Sequence, residues 1–525
     1  MRSTFLGFNT ATSGLFASQR ALDTTGHNIA NVNTPGYSRQ RVEQSNADGW
    51  RIGGGRGVLG TGVQTTGIEQ MRNEFLDFRY RFEVNNLAYW EARRDGLSFI
   101  EASFNEPSET GMLSNVDNYF NSLQELSKEQ NADELTHRAL VYDQSEAMAN
   151  SISHQYDQLE KMVVDVNDEI KTTVDTINLY AEQIASLNEQ IFRYEVDGSS
   201  ANDLKDRRNL LIDELSELVK VDVKMVTDSR DTSPNAPQKM VLQIAGQPLV
   251  SHGKAYKLDA SEKEKSDFFD DMGVDMEINK VQWADGSYLN PNSLEGELKA
   301  LIELRDGNTA QKKGIPYYIS KLNEFAQTFA KEMNEVAKTG YGLKGEILHD
   351  ADGNPLGDDT TGAGYLMFTA NGQSSAEMYD ENGNIMHTAI NAKNIGVSMD
   401  MQDLNKIPAA GSPDALPGDA SVIMEMVELR NKDSMFAEGR PEDFMRTLIA
   451  NLGVDQQQAM RNSENQQVLT QQIHYQRMSY SGVSQDEELA NMVKFQHAYN
   501  ASARMITTMD EMLDVVINRV GLVGR

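Results

Sequence analysis

From Ile152 onward the sequence keeps one spacing without interruption. Ile152, Tyr156, Leu159, Val163, Val166, Ile170, Thr173, Ile177, Tyr180, Ile184, Leu187, Ile191 and Tyr194 follow at alternating steps of four and three residues. An α-helix turns once in about 3.6 residues, so this spacing gathers them on one narrow face. The pattern predicts a helix over 146–196, roughly 75 Å long at ~1.5 Å per residue. A rod with a single apolar seam needs other helices to lie against. Asp197-Gly198-Ser199-Ser200 supplies a stop, and Asp203 is placed to cap a second helix running to about Lys220. Helical patterns at 319–338 and 441–481 supply further partners. The expectation is an elongated multi-helix body.

Both ends of the chain carry their own seams. In the first 31 residues Phe8, Ala11, Leu15, Ser18, Leu22, Thr25 and Ile29 keep a heptad spacing. Near the other end the same alternation runs through Leu489, Met492, Gln496, Tyr499, Ala503, Ile506, Asp510, Leu513, Ile517 and Val520, widened by Val493, Met509 and Val516. Ser484 and Glu487 form a capping box before this helix, and Gly521 is a stop. Gln496 and Asp510 are polar seam positions of the kind that set register at a cost in stability. Two such helices either pair with each other in a bundle or also pack against neighbouring chains. Periodicity does not separate these readings.

Composition narrows the function classes. A formal net charge of −31 argues against nucleic-acid binding, which needs a basic face. The acid lies downstream: residues 1–100 hold eleven Arg, no Lys and nine Asp or Glu. The absence of Cys excludes disulfides and thiolate metal sites. No cleavable secretory signal is expected at the start, and no run of about 18 apolar residues occurs to span a membrane. With 525 residues the chain is expected to form several domains.

Strand-like stretches interrupt the helices. Residues 50–68 read as a hairpin around Val58, Thr61-Gly62 and Val63, residues 221–258 and 273–290 as short strands, and 347–415 as a Gly-, Asp- and Asn-rich insertion. The fold class predicted is mainly α with β-rich insertions, with coiled-coil-like terminal helices and small outer β domains. The expected segments are an axial N-terminal helix and loop (1–45), a helical body with a hairpin (46–225), a β-rich insertion (226–291), more body (292–346), an outer β-rich insertion (347–415), a return of the body (416–483) and an axial C-terminal helix (484–525).

Chemical motifs fail on context. Gly55, Gly57 and Gly60 match G-x-G-x-x-G, but no strand precedes them and no helix follows. Asp350, Asp352 and Asn354 begin like a calcium loop, but Pro355 stands where Gly is needed and Thr361 where Glu is needed. The histidines form no metal motif, and adjacent acids such as Asp358-Asp359 are expected at this composition. The 25 methionines read as deformable core filler. No catalytic, cofactor or metal residue is expected, and no enzyme.

The end segments carry a resemblance. SGLFASQRALDTTGHNIANVNTPGYSRQRV (13–42), with Asn28, Asn31, Asn33, Pro35, Gly36 and Tyr37 at its centre, resembles the N-terminal signature of flagellar rod, hook and hook-associated axial proteins. VSQDEELANMVKFQHAYNASARMITTMDEML (483–513) resembles their C-terminal signature. Segments 202–223, 294–306 and 319–346 resemble the hook-associated branch. Physically, Pro35 disfavours helix at Thr34, Gly36 permits positive φ, and Asn31 and Asn33 are able to bond nearby backbone. The resemblance implies a structural, extracellular subunit at the junction of hook and filament, exported by the flagellar type III apparatus without a cleaved signal. It implies assembly with itself in a helical ring, with hook protein, with the next hook-associated protein, and with an export chaperone at the C-terminal helix. Phe8, Leu15, Leu22, Ile29, Leu489, Met492, Tyr499, Ile506, Leu513 and Ile517 are the expected interface residues. The alternatives are a hook or distal rod subunit, or an axial protein whose insertion carries a secreted enzymatic activity.

Overall fold

The computed structural model describes residues 6–51, 58–104, 111–128, 131–196, 199–227, 238–350, 352–358 and 361–519. Its longest element is the expected rod. Helix α4 (Leu135–Val196) has 62 residues. It follows α1 (Leu6–Ala30), α2 (Glu74–Phe104) and α3 (Met112–Leu126). Of the seam residues from Ile152 to Tyr194, all but Val166, Tyr180 and Tyr194 are buried. The rod begins eleven residues before the expected 146 because a charge opens its seam. Arg138 is fully buried and donates to the carbonyls of Ala132 (3.0 Å) and Ile407 (2.7 Å). Burial pushes this guanidinium down to about 10, against the pull of Asp133.

Helix α5 (Asn202–Leu218) folds back on α4, as expected. Its start differs. Ala201 occupies the cap position with no side-chain bond, and Asp203 instead accepts from Gln40 Nε2 at 2.7 Å. The remaining helices are a short α6 (Asp267–Asp270), α7 (Glu297–Asp306), α8 (Ile315–Ala337), α9 (Ser421–Glu428), α10 (Pro441–Ser481) and α11 (Gln485–Asp514). Half of the capping box before α11 forms: Ser484 Oγ accepts from Glu487 N, while the Glu487 carboxylate turns to Arg39. Asp197, Gly198, Val520 and Gly521 lie outside the described residues.

The rod threads two cores. Its first half packs with the end of α2, α3, α8, α9, the start of α10 and the turns of 340–410. Here Tyr119, Phe120, Phe325, Phe329, Phe368, Phe436 and Phe444 form a continuous aromatic cluster. Its second half, Ile170–Ile191, packs with α5, α7 and an antiparallel sheet. That sheet has the order β5–β6–β7–β8 (Asp222–Thr227, Gln238–Ile244, Gln247–Ser251, Lys254–Ala255). Met240, Leu242, Ile244, Leu249 and Val250 are buried on the rod.

Two strand expectations need correction. Over 40–70 two hairpins are nested. The outer one pairs β1 (Gln40–Asn46) with β4 (Val63–Gln70), and the inner one pairs β2 (Trp50–Arg51) with β3 (Val58–Leu59). Thr61-Gly62 is therefore not a simple hairpin turn. Gly62, at φ +122°, is needed for close approach: a Cβ there would strike Ser13 Oγ of α1, which accepts from Val63 N at 3.2 Å. Short pairs β9–β12 (Leu258–Asp259, Gln282–Trp283) and β10–β11 (Lys263–Lys265, Glu277–Asn279) extend the first insertion. The segment 347–415 has less strand than its composition suggests: β13 (Phe368–Ala370) pairs with β14 (Ile395–Val397), and the rest of its described residues form isolated bridges, turns and short 3-10 segments. It also builds core, burying Leu366, Met367, Phe368, Met378, Ile395, Met401 and Ile407.

Candidate assembly interface

The terminal helices α1 and α11 lie side by side and antiparallel. Gly7 faces Met509, Gly14 faces Ser502, and Asn28 reaches Glu488. Gly7 and Gly14 are one heptad apart and Asn28 lies two heptads further on, with buried Ala21 between them on the same line. The stripe of α1 that carries these contacts is thus small: Gly7, Ala11, Gly14, Ser18, Ala21, Thr25 and Asn28 repeat along it at steps of four and three. Small side chains let the two backbones approach closely. A second heptad of larger residues, the expected anchors Phe8, Leu15, Leu22 and Ile29, lies on the flank and is only half-buried.

The seam of α11 is shifted by one residue at alternate positions. Glu488 is buried, and Met492, Phe495, Tyr499, Ser502, Ile506, Met509 and Leu513 follow it half-buried at steps of four and three. Gln496 and Asp510 are exposed, because Phe495 and Met509 occupy the places expected of them. Of the expected anchors, Met492, Tyr499, Ile506 and Leu513 are half-buried, whereas Leu489 and Ile517 are exposed at 45% and 71%. Phe16, Val493, Met505, Met512, Val515 and Val516 are also exposed. One helix covers only one stripe of its partner, so the pair leaves apolar residues open on its other sides.

The signature loop fastens this pair to the body. Asn28 sits at its centre and is buried. Its Nδ2 donates to Gln40 O (2.9 Å) and to Glu488 Oε2 (3.1 Å). Its Oδ1 accepts from Tyr37 Oη (2.8 Å) and Gln40 N (3.0 Å). Arg39 pairs with Glu488 (2.7 Å) and Glu487 (2.9 Å), and its amide donates to Ser481 O. Asn31 Nδ2 caps the end of α1 at His27 O (3.0 Å), and Asn31 Oδ1 accepts from Thr34 Oγ1 (3.1 Å). Gly36 has φ +74°, and a Cβ there would meet Leu210 Cβ of α5 at 3.0 Å. Asn33 and Pro35 are exposed. Sequence reasoning found this loop by its residue pattern but missed Arg39 and Glu488, whose partners are distant in the chain.

Beside the loop, buried charges join α2, α5 and α10. Arg72 holds Asp77 (2.6 Å) and Asp206 (3.3 Å), Arg81 holds Asp213 (2.7 Å), and Arg477 holds Asp213 (2.6 Å) and Asp77 (3.3 Å). Burial raises the Asp206 carboxyl above its ordinary range, against the pull of Ser38 and Arg72. Burial opposes the Arg477 charge, but Asp213 and Asp77 override it and hold its pKa above the usual value. Burial and the nearby acids Asp203, Asp206 and Glu488 raise the Tyr37 phenol, so it stays a hydrogen-bond donor.

Among the described residues, no three His, Asp or Glu converge to hold a metal, and no helix is long and apolar enough to cross a membrane. The Asp350 carboxylate accepts from the amides of Asp352 (2.9 Å) and Asn354 (2.7 Å), closing its own turn. Gly55, Gly57 and Asp359 lie outside the described residues.

Comparison with known proteins agrees with this layout. Residues 97–351 match the family described as the flagellar hook-associated protein FlgK helical domain. Residues 8–37 match flagella basal body rod protein, and 475–519 match flagellar basal body rod FlgEFG protein C-terminal. Flagellar hook-associated protein 1 of Bacillus subtilis (strain 168) is 32% identical, with 100% of both chains covered. That of Escherichia coli (strain K12) is 26% identical over 97% of this chain and 99% of its own. The solved structure of the flagellar hook junction protein FlgK from Burkholderia pseudomallei shares the fold, with a TM-score of 0.54 and 15% identity over 78% of this chain and 100% of that one. The protein is a structural component of the flagellum and not an enzyme. The chain belongs to the flagellar hook-associated protein 1 family.

Proposed function

We propose that this subunit joins hook to filament as a ring of copies in helical array, held by its two terminal helices. The observation that carries the reading is the apolar surface left open on the α1–α11 pair by Phe16, Leu489, Val493, Met505, Met512 and Ile517. The half-buried flank of Phe8, Leu15, Leu22 and Ile29 continues it. A helical array uses heterologous contacts, in which one face meets a different face of the next copy. Apolar residues on several sides of one helix pair suit that geometry. The axial segments 1–45 and 484–525 then form the inner shell, and the rest of the chain the outer one. One end of the ring meets hook protein and the other the next hook-associated protein. Before assembly an export chaperone covers α11, and the type III apparatus carries the chain out of the cell.

Deletion of 485–525 tests this reading. The expected result is cells with intact hooks, no filaments, and filament subunits shed into the medium. Loss of the hooks themselves would instead make the chain a hook or rod subunit.

A further inference from the structure

A second open surface lies away from the terminal helices. Between α2, α4 and α7 runs a groove of about 940 Å³. Its apolar lining includes Ala88 and Ala92 of α2, Met162 and Val166 of α4, and Leu301 of α7. Small residues on α2 leave room for a bulky side chain to enter. Around this lining stand Glu91, Asp165, Glu169, Glu217 and Glu297. None of the five makes an ion pair or hydrogen bond among the described residues. Burial raises the carboxyls of Glu169, Glu217 and Glu297 above their ordinary range, and neighbouring acids add to it. An apolar groove ringed by uncompensated acid fits a partner face that is aromatic and carries a cation.

Such a face exists on the first half of α2. Phe75, Phe78 and Phe82 are exposed at 64%, 62% and 45%, at the i, i+3, i+7 spacing of helix anchors. Arg79 stands among them, exposed, with its guanidinium 6.0 Å from the Phe75 ring. It makes no ion pair among the described residues. The groove takes its α2 lining from Tyr80, Val84, Ala88, Glu91 and Asp95, which at about 100° per residue stand roughly half a turn round the helix from the ridge. The ridge therefore cannot reach the groove of its own chain. A neighbouring copy set beside this one turns its ridge toward this groove, which is a heterologous contact of the kind an array repeats.

We infer that the Phe75–Phe78–Arg79–Phe82 ridge of one copy docks in the α2–α4–α7 groove of a second copy. The inference rests on the proposed array and adds a lateral contact between helical bodies to the terminal-helix contact. Phenyl rings fill the groove, and Arg79 supplies the charge that its carboxylates lack.

The chain has no native Cys, so a cysteine pair reports the contact without background. Full-length Phe78→Cys/Ala92→Cys protein is expressed in cells that assemble flagella, and the flagella are oxidised mildly. Cysteines this far apart on one helix cannot bridge within a chain. The expected result is a ladder of dimers and higher multimers on a non-reducing gel, absent from either single variant. Adding Arg79→Glu is expected to cut the ladder at least tenfold, and adding Glu169→Arg as well to restore it. Filaments with no ladder, a ladder indifferent to Arg79→Glu, or dimers from Phe78→Cys alone would each overturn the contact and leave the junction reading standing. Normal filaments after deletion of 485–525 would overturn the junction reading, and this one with it.

Discussion

Arg477→Met is expected to destabilise the pairing of α2 with α10 by about 3 kcal/mol, the low end of what breaking a buried ion pair costs. Arg477 is the one residue of α10 that bonds both Asp77 of α2 and Asp213 of α5. The side chains of Asp77 and Asp213 are each 7% exposed, so neither regains much water when the guanidinium goes. Arg72 and Arg81 remain beside them, which keeps the loss from the upper end of the range. The guanidinium also lies 4.5 Å from the Tyr80 ring, and methionine keeps part of that packing. Hydrogen exchange resolved along α2 and α10 measures the effect locally, which suits a chain with two cores better than one global midpoint. A loss below about 1 kcal/mol would mean that the carboxylates are served by Arg72 and Arg81 alone.

Phe368→Ala is expected to cost about 3–5 kcal/mol, the range for removing a buried aromatic ring. Phe368 belongs to the turn-rich segment 347–415 but is fully buried edge-on against Tyr119 of α3 and Phe329 of α8. Two outcomes separate two pictures of that segment. If it completes the first core, α3 and α8 lose exchange protection together with it. If it were a separate outer module, only residues 347–415 would loosen, and the helices would keep their protection.

The sequence was most legible where one periodicity met one partner face. The α4 seam from Ile152 to Ile191 is such a case, and nearly all of it is buried as spaced. The terminal helices were legible as helices but not in phase. On α1 two heptads interleave, and size pointed to the one that does not face α11. Close backbone approach selects Gly7, Gly14 and Ala21 for contact with α11 and leaves Phe8, Leu15 and Leu22 on the flank. On α11 a shift of one residue exchanges Gln496 for Phe495 and Asp510 for Met509. Buried charges were invisible for a different reason. Arg138, Arg477, Asp213 and Glu488 look like solvated residues until partners hundreds of positions away fold against them. The same holds for 347–415, whose glycines and carboxylates make turns while its scattered Phe368, Met378 and Ile407 fill a core. Of the candidate site, the signature loop was readable because its Asn, Pro and Gly act locally. The ridge and the groove needed the fold.

We propose the open apolar face of the α1–α11 pair as the assembly surface. Val493→Asp combined with Met505→Asp tests it most directly. Both residues are at least half exposed, so the isolated chain should keep its wild-type exchange protection. In cells, hooks should form and filaments should be absent. Filaments at wild-type number and length on cells carrying this variant would contradict the account.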